Sequence, residues 1–463
     1  YIDLDVYSSE TLTANNLKYE LYEGVLTLTA INPEKEATIP NPQPWADKAG
    51  TITKIVIGAG VRNIPADTFK NYTALTEIEL PQTLIRIGAN AFATTEANNT
   101  ELTVTMPKSV TSLENSAFAN RSNVKMTSYA NTVGESFTAD GVTNNVKKEF
   151  KVLLIGNSYS EDASDWTDNG TVSHSYEVYK SLLGDDVELT IGLMASGGKV
   201  LAWHATNAYN NTAAYTLRLT GEDGKWTSVG TVKTIKDALA YEEWDVVSLQ
   251  PYGKETTDGI AGNNTYNPET GADYRFDATR FGTLAQSISY FLDLTENYVP
   301  HAQVYYYMHL SEHGTGNYAD GLNSTKDTYE KRAAMAQTVK DYTGTTYTNK
   351  KLTDVIPVGT AIQNARTTYL TKLSNADASM PVILANDPVF GLQRDGGHLT
   401  YNVGRYIAAL TFAEKIIPSV YRNNAAADCG MRDSQSVGKL PAQYAEIARK
   451  AVAAAITTPY QVT

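Results

Sequence analysis

Ser158, Asp395 and His398 are the residues whose types and spacing could together do chemistry. A serine hydroxyl is a weak nucleophile unless a base takes its proton as it attacks. Asp395-Gly396-Gly397-His398 sets a carboxylate three residues before an imidazole on a glycine-bearing loop. The acid can fold back onto one ring nitrogen and leave the other to receive the serine proton. Each residue also has a plainer reading. Ser158 follows Gly156-Asn157 at a strand–helix turn, where serine is a good N-cap. His398 can cap its own helix, with Asp395 in an Asx-turn. A second cluster, His309-Leu310-Ser311-Glu312-His313, has the letters of an inverted zincin motif, which needs a helix carrying both imidazoles on one face. Here it follows the apolar run VYYYM and precedes Gly314-Thr315-Gly316. That reads as a strand end entering a loop, so no metal is expected. His309 and His313 are expected instead at the rim of the Ser158 site as substrate contacts. Trp203 and His204 are read as further pocket residues, with a partly buried structural pair as the alternative.

The elements that must hold these groups follow an alternating rhythm. Strand candidates at Val152–Ile155, Val187–Leu193, Trp244–Leu249, Ala302–Met308 and Thr353–Val358 are separated by helix-like stretches. Those stretches include Ser175–Leu183, Thr234–Glu243, Thr283–Thr295 and Thr325–Tyr342. The pattern implies an α/β fold with a parallel sheet covered on both faces. The phrase KVLLIGNSYSEDA from Lys151 sets Ser158 at the carboxyl end of the first strand, where ligands bind in doubly wound sheets. A helix is expected to begin near Ser160-Glu161-Asp162. AYTLRLTGEDGKWTSVGTV, with its Asp223-Gly224 turn, reads as a β-hairpin insertion that interrupts the alternation. Arg366, after the fifth strand, is expected to meet a surface carboxylate, with an anionic group as the alternative.

Ser158 early and Asp395-x-x-His398 late resemble the SGNH (GDSL-like) hydrolase superfamily over roughly residues 148–420. The resemblance is closest to a branch whose first strand ends in a GNS(F/Y)SEDA phrase. It implies a three-layer α/β/α, flavodoxin-like domain and a cofactor-free serine esterase with Ser158 as nucleophile, His398 as base and Asp395 as the orienting acid. It also implies an oxyanion hole of three donors. These are the Ser158 N–H, a glycine amide after the second strand (Gly198, with Gly197 the alternative) and a side-chain amide after the third. Two positions depart from the pattern. Asn157 stands where the superfamily usually has Asp, and is expected to line the substrate pocket. Gln250 ends the strand WDVVSLQ in place of the usual Asn, as in some sialate-esterase-like relatives. An O-acetylated or otherwise acylated carbohydrate, or a small ester, is the substrate class implied. Two competitors stand beside this reading: a catalytically silent SGNH-fold binding module, and a surface adhesion protein working through its repeats.

Those repeats lie at the other end of the chain. ITKIVIGAGVRNIPADTF, TEIELPQTLIRIGANAF and LTVTMPKSVTSLENSAF each run from a short alternating strand to Phe69, Phe92 or Phe118, spaced 23 and 26 residues apart. A unit of this size cannot bury its own apolar face, so stacked neighbours make the core. The segments resemble BspA-type leucine-rich repeats over roughly residues 50–130, with GVLTLTA and PWADKAG similar to the cap that precedes them. The expected organisation is a small leucine-rich-repeat solenoid over 1–140, with a protein or glycan ligand, and a hydrolase domain over 148–463. Composition narrows the partners. Among 463 residues, 38 basic against 51 acidic side chains give a net charge of −13, which argues against nucleic acid. No run of 18 apolar residues exists, so no membrane span is expected. The single cysteine, Cys429, excludes a disulfide framework and a cysteine-based metal site. Thirty tyrosines suit sugar and protein contacts. Export, to the cell surface, the periplasm or the medium, is the expected localisation.

Overall fold

The structure, a computed structural model, describes residues 7–167, 170–256, 276–311, 318–345, 350–366, 391–394, 397–423, 440 and 442–463. The chain divides into two compact units, Tyr1–Glu149 with Leu294–Ala302, and Phe150–Asp293 with Gln303–Thr463.

In the first unit, β1 (Tyr7–Leu12), β2 (Leu17–Tyr22) and β3 (Val25–Ala30) form an antiparallel meander. The repeats then supply β4 (Lys54–Ile57), β5 (Asn63–Ile64), β6 (Glu77–Glu79), β7 (Arg86–Ile87), β8 (Leu102–Thr105), β9 (Ser112–Leu113) and β10 (Val124–Tyr129). A one-turn helix, α1 (Val133–Ser136), and β11 (Val142–Lys147) follow. One sheet has the order β1-β2-β3-β4-β6-β8-β10-β11 and a second β5-β7-β9. Each repeat gives one strand to each sheet, and the repeat strands pair in parallel. Strand alternation decides what goes inside. Ile55, Ile57, Ile78, Leu102, Val104, Val124 and Met126 are buried between the sheets, while Glu79, Thr103 and Lys125 face outward. The repeat phenylalanines form a ladder. Phe69 stacks on Phe92 at 5.6 Å and 11°, and Phe92 on Phe118 at 5.5 Å and 15°.

The second unit runs through β12 (Glu149–Gly156), α2 (Ser158–Ser164), α3 (His174–Leu182), β13 (Glu188–Ala195) and α4 (Leu201–Tyr209). Then come β14 (Leu217–Thr220), β15 (Trp226–Val229), α5 (Ile235–Tyr241), β16 (Val246–Leu249), α6 (Ala278–Phe281) and α7 (Leu284–Tyr298). It ends with β17 (Gln303–Tyr307), α8 (Tyr318–Val339), β18 (Asp354–Ile356), α9 (Val358–Asn364), α10 (Val403–Ile416) and α11 (Ala442–Thr457). The sheet order is β15-β14-β13-β12-β16-β17-β18. β12, β16, β17 and β18 pair in parallel. Val152 to Ile155 and Val246 to Leu249 are buried without alternation, as strands covered on both faces must be. The hairpin expected at the Asp223-Gly224 turn forms, as β14 and β15 between α4 and α5. β14 pairs antiparallel with β13 and with β15, so it extends the edge of the main sheet and makes that sheet mixed.

The strand order reverses at β12. The chain steps to one side for β13 and to the other for β16, β17 and β18. A crevice opens at the carboxyl ends where such a reversal occurs, and Ser158 stands there.

Candidate active site

The turn after β12 explains its own sequence. A Cβ on Gly156 would lie 2.3 Å from Ser160 Oγ and 2.6 Å from Gln250 Oε1, so only glycine fits. Asn157 is fully buried. Its side-chain oxygen accepts from the Tyr159 N–H at 3.0 Å, and its amide nitrogen donates to the Lys199 carbonyl at 3.0 Å. Its backbone N–H donates to Gln250 Oε1 at 2.9 Å. Asn157, not Ser158, is therefore the N-cap of α2. The helix starts two residues earlier than its acidic run suggested. Ser158 is left at the first helical position with its hydroxyl free of capping duty. That hydroxyl lies 2.9 Å from His398 Nε2. Both residues are half-buried, so the pair keeps access to solvent. The Tyr159 ring stacks on the His398 imidazole at 5.6 Å and 25°.

Beside Ser158, the residues after β13 turn sharply. Lys199 N–H donates to the Ser196 carbonyl at 3.3 Å and Gly198 has φ +68°. This left-handed position favours glycine. Among the described residues, the amides of Ser158, Gly197 and Gly198 donate to no protein group, which leaves them available to an anion. A Cβ on Gly197 would meet nothing within 4 Å.

Several sequence expectations are corrected. Gln250 is fully buried and committed: its amide nitrogen donates to the Pro251 carbonyl at 2.7 Å, and its oxygen accepts from Asn157 N–H and, at 3.3 Å, from Ser160 Oγ. Its side chain fastens the turn and is not presented as an oxyanion donor. Asn157, with every polar group engaged inside, does not line a substrate pocket. His204 is fully buried, with Nδ1 2.8 Å from the Tyr215 hydroxyl, and burial followed by the nearby Lys199 lowers its pKa to about 3. It is a neutral core histidine rather than a substrate contact. His309 lies just past β17, not on a helix. It is 1% exposed and stacked on Tyr159 at 4.9 Å. Burial, then Arg332, pushes its pKa well down, so it too belongs to the packing. Arg366 is buried and donates to Gln363 Oε1 at 2.6 Å and to Gln393, not to a surface carboxylate. Trp203 is half-buried, with the Lys199 ammonium 5.1 Å from its ring centre. Asp395, Glu312, His313 and Cys429 lie outside the described residues. Among the described residues, no group of three His, Cys, Asp or Glu is placed to hold a metal. Among them, too, no helix is long and apolar enough to cross a membrane.

Two buried acids escaped the sequence reading. Asp162, one helical turn after Ser158, is 1% exposed and surrounded by arginines. Glu255 accepts from the amides of Leu201, Ala202 and Tyr252 at 2.9, 3.0 and 3.2 Å. Burial raises its pKa to about 7 against those bonds. The available signal for Asp162 was its i+4 spacing from Ser158, on a helix whose Tyr159 and Ala163 also face inward.

A family described as "Domain of unknown function (DUF4886)" matches residues 151–445. The chain belongs to the DUF4886 family. A BspA-type leucine-rich-repeat region of six copies precedes that domain, at residues 47–144. The crystal structure of a DUF4886 family protein from Bacteroides uniformis is 24% identical, with 68% of this chain and 98% of that one covered and a TM-score of 0.47. A leucine-rich repeat protein from Eubacterium ventriosum is 21% identical over 30% of this chain and 40% of its own, with a TM-score of 0.20. A protein from Parabacteroides merdae described as a GDSL-like lipase is 12% identical over 58% of this chain and 96% of its own, with a TM-score of 0.31. No curated protein matches the chain. Within the DUF4886 domain, what bears on chemistry is the pairing of Ser158 with His398.

Proposed function

We propose that the DUF4886 domain is a serine esterase, built as a three-layer α/β/α, flavodoxin-like sandwich of the SGNH type. It removes acyl groups, O-acetyl among them, from carbohydrates. The observation that carries this reading is the 2.9 Å approach of Ser158 Oγ to His398 Nε2 at the carboxyl end of a parallel strand. Ser158 Oγ attacks the ester carbonyl while His398 Nε2 takes its proton. The negative oxygen of the tetrahedral intermediate is held by the N–H groups of Ser158 and Gly198, with Gly197 adjoining. Asp395 would hold the other imidazole nitrogen, and the proton on Nε2 passes to the departing alcohol. Water, deprotonated by the same nitrogen, then releases the acid. No cofactor enters the cycle. Gln250 is left out of it, so the hole rests on backbone amides. Losing one such donor typically slows turnover about 100- to 1000-fold.

One observation favours a second reading, a catalytically silent binding module: the commitment of the Gln250 amide to the Pro251 carbonyl. A fluorophosphonate separates the two. An activated Ser158 displaces fluoride from phosphorus and gains the phosphonyl mass on its own peptide, while His398→Ala abolishes the labelling. A wild-type protein that stays unlabelled supports the silent module. In this account the protein is exported and acts at the cell surface, in the periplasm or in the medium, where the repeats hold a protein or glycan ligand.

A further inference from the structure

His398 sits on the segment between β18 and α10, and the structure contains a device that fixes where it stands. Gln393 bridges Leu399 in antiparallel fashion, and Thr400 N–H returns to the Leu392 carbonyl at 3.1 Å. The His398 carbonyl accepts from Arg394 N–H at 2.9 Å. The Leu399 N–H donates to Asp162 Oδ2 at 2.9 Å. These two groups belong to one peptide, the one that follows the His398 Cα, so that peptide is held from both ends. Asp162 Oδ1 accepts from Arg394 Nη1 at 2.9 Å and from Arg405 Nη2 and Nε at 2.7 and 3.1 Å. The Arg394 guanidinium also donates to the Leu399 carbonyl. Arg405 turns its other nitrogen to Asp165 Oδ1 at 2.5 Å, and Asp165 Oδ2 accepts from His174 N–H at 2.8 Å. The Tyr401 ring has a guanidinium of each arginine over it, at 4.7 and 4.6 Å.

We propose that Asp162, through Arg394 and the Leu399 amide, is the positioning residue that sets His398 against Ser158. This rests on the esterase reading above for its functional consequence. Asp162 and Ser158 share one seven-residue helix, four positions apart. A fixed bond from Asp162 to the histidine loop is thus a fixed distance between nucleophile and base. Two aspartates and two arginines balance in charge around this nearly fully buried carboxylate. The two nitrogens that Arg405 turns to Asp162 are what a guanidinium offers and an ammonium does not. Glu161, next door, faces Arg218 at 3.3 Å and takes no part.

The test is a double-mutant cycle on short-chain aryl ester hydrolysis, read together with imidazole signals of 15N-histidine-labelled protein. Asp162→Asn is expected to lower kcat about 100-fold, the scale of a small misplacement of reacting groups, with KM nearly unchanged. Arg394→Gln, at a partly exposed side chain, is the milder variant should Asp162→Asn fold poorly, and is expected to lose about tenfold by the same argument. Glu161→Gln should match wild type. In the His398→Ala background, Asp162→Asn should cause no further loss, because a positioning residue has nothing left to position. The His398 ring signals, assigned by their absence in His398→Ala, should be single in wild type and split or averaged in Asp162→Asn or Arg394→Gln. Equal losses in both backgrounds, or His398 signals unchanged in both clamp variants, would overturn the proposal. Should Ser158→Ala hydrolyse as wild type does, the esterase reading fails alone, and the ring signals still decide the clamp.

Discussion

Asn157 shows how one side chain can decide what its neighbour is free to do. Because it caps α2 and donates to the Lys199 carbonyl, the adjacent serine hydroxyl faces His398 instead of the helix. An aspartate could cap equally well but has no hydrogen for that carbonyl. Asn157→Asp is therefore expected to cost about 1–3 kcal/mol, the price of a buried acceptor left without its donor, read as a shift in urea midpoint. An unchanged midpoint would mean that this bond is not needed. Glu255 makes a prediction in pH. Its folded pKa, about 7, lies above the ordinary 4.5, so the folded chain holds the proton more tightly than the unfolded one. This contribution is whole below about pH 4.5 and is lost as pH rises toward 7, on the order of 3 kcal/mol. Glu255→Gln should flatten the stability profile across that window; an identical slope in both proteins would contradict the assignment. Glu255 carried no signal in the sequence, and the i+4 spacing of Asp162 from Ser158 says nothing of its partner, because Arg405 lies 243 residues further along the chain.

At the scale of elements, alternation and repeat length carried far. The strands from β12 to β18 and their helices are written in apolar runs, and the repeat phenylalanines in a period of 23 to 26 residues. What escaped was direction and depth. The hairpin of β14 and β15 joins the main sheet because an unpaired edge beside β13 was there to be extended, which a turn signal cannot reveal. His204 sits within α4 and His309 just past the end of β17, and only packing shows that both are sealed. Gly198→Ala should cost about 1–2 kcal/mol, since its φ is left-handed. Gly197→Ala, with open space at its Cβ, should stay within about 0.5 kcal/mol of wild type. Equal melting temperatures for both variants would contradict the turn described. In the ladder, Phe92 is gripped from both sides. Phe92→Ala is expected to destabilise the repeats by about 3–5 kcal/mol, measured by calorimetry, and a loss below about 1 kcal/mol would mean the ladder is ornamental.

For the whole molecule, the chain joins a DUF4886 domain to BspA-type repeats, and the proposed chemistry lies within the first of these. The central claim is that Ser158 and His398 form a working nucleophile–base pair. Its most direct measurement is steady-state release of acid from short-chain aryl esters and acetylated sugars by wild type and Ser158→Ala, at equal concentration and confirmed fold. The account predicts hydrolysis by wild type and a fall of about 10⁴-fold or more in kcat when the hydroxyl is removed. Equal rates from the two proteins, or no hydrolysis by wild type on either class of ester, would contradict it.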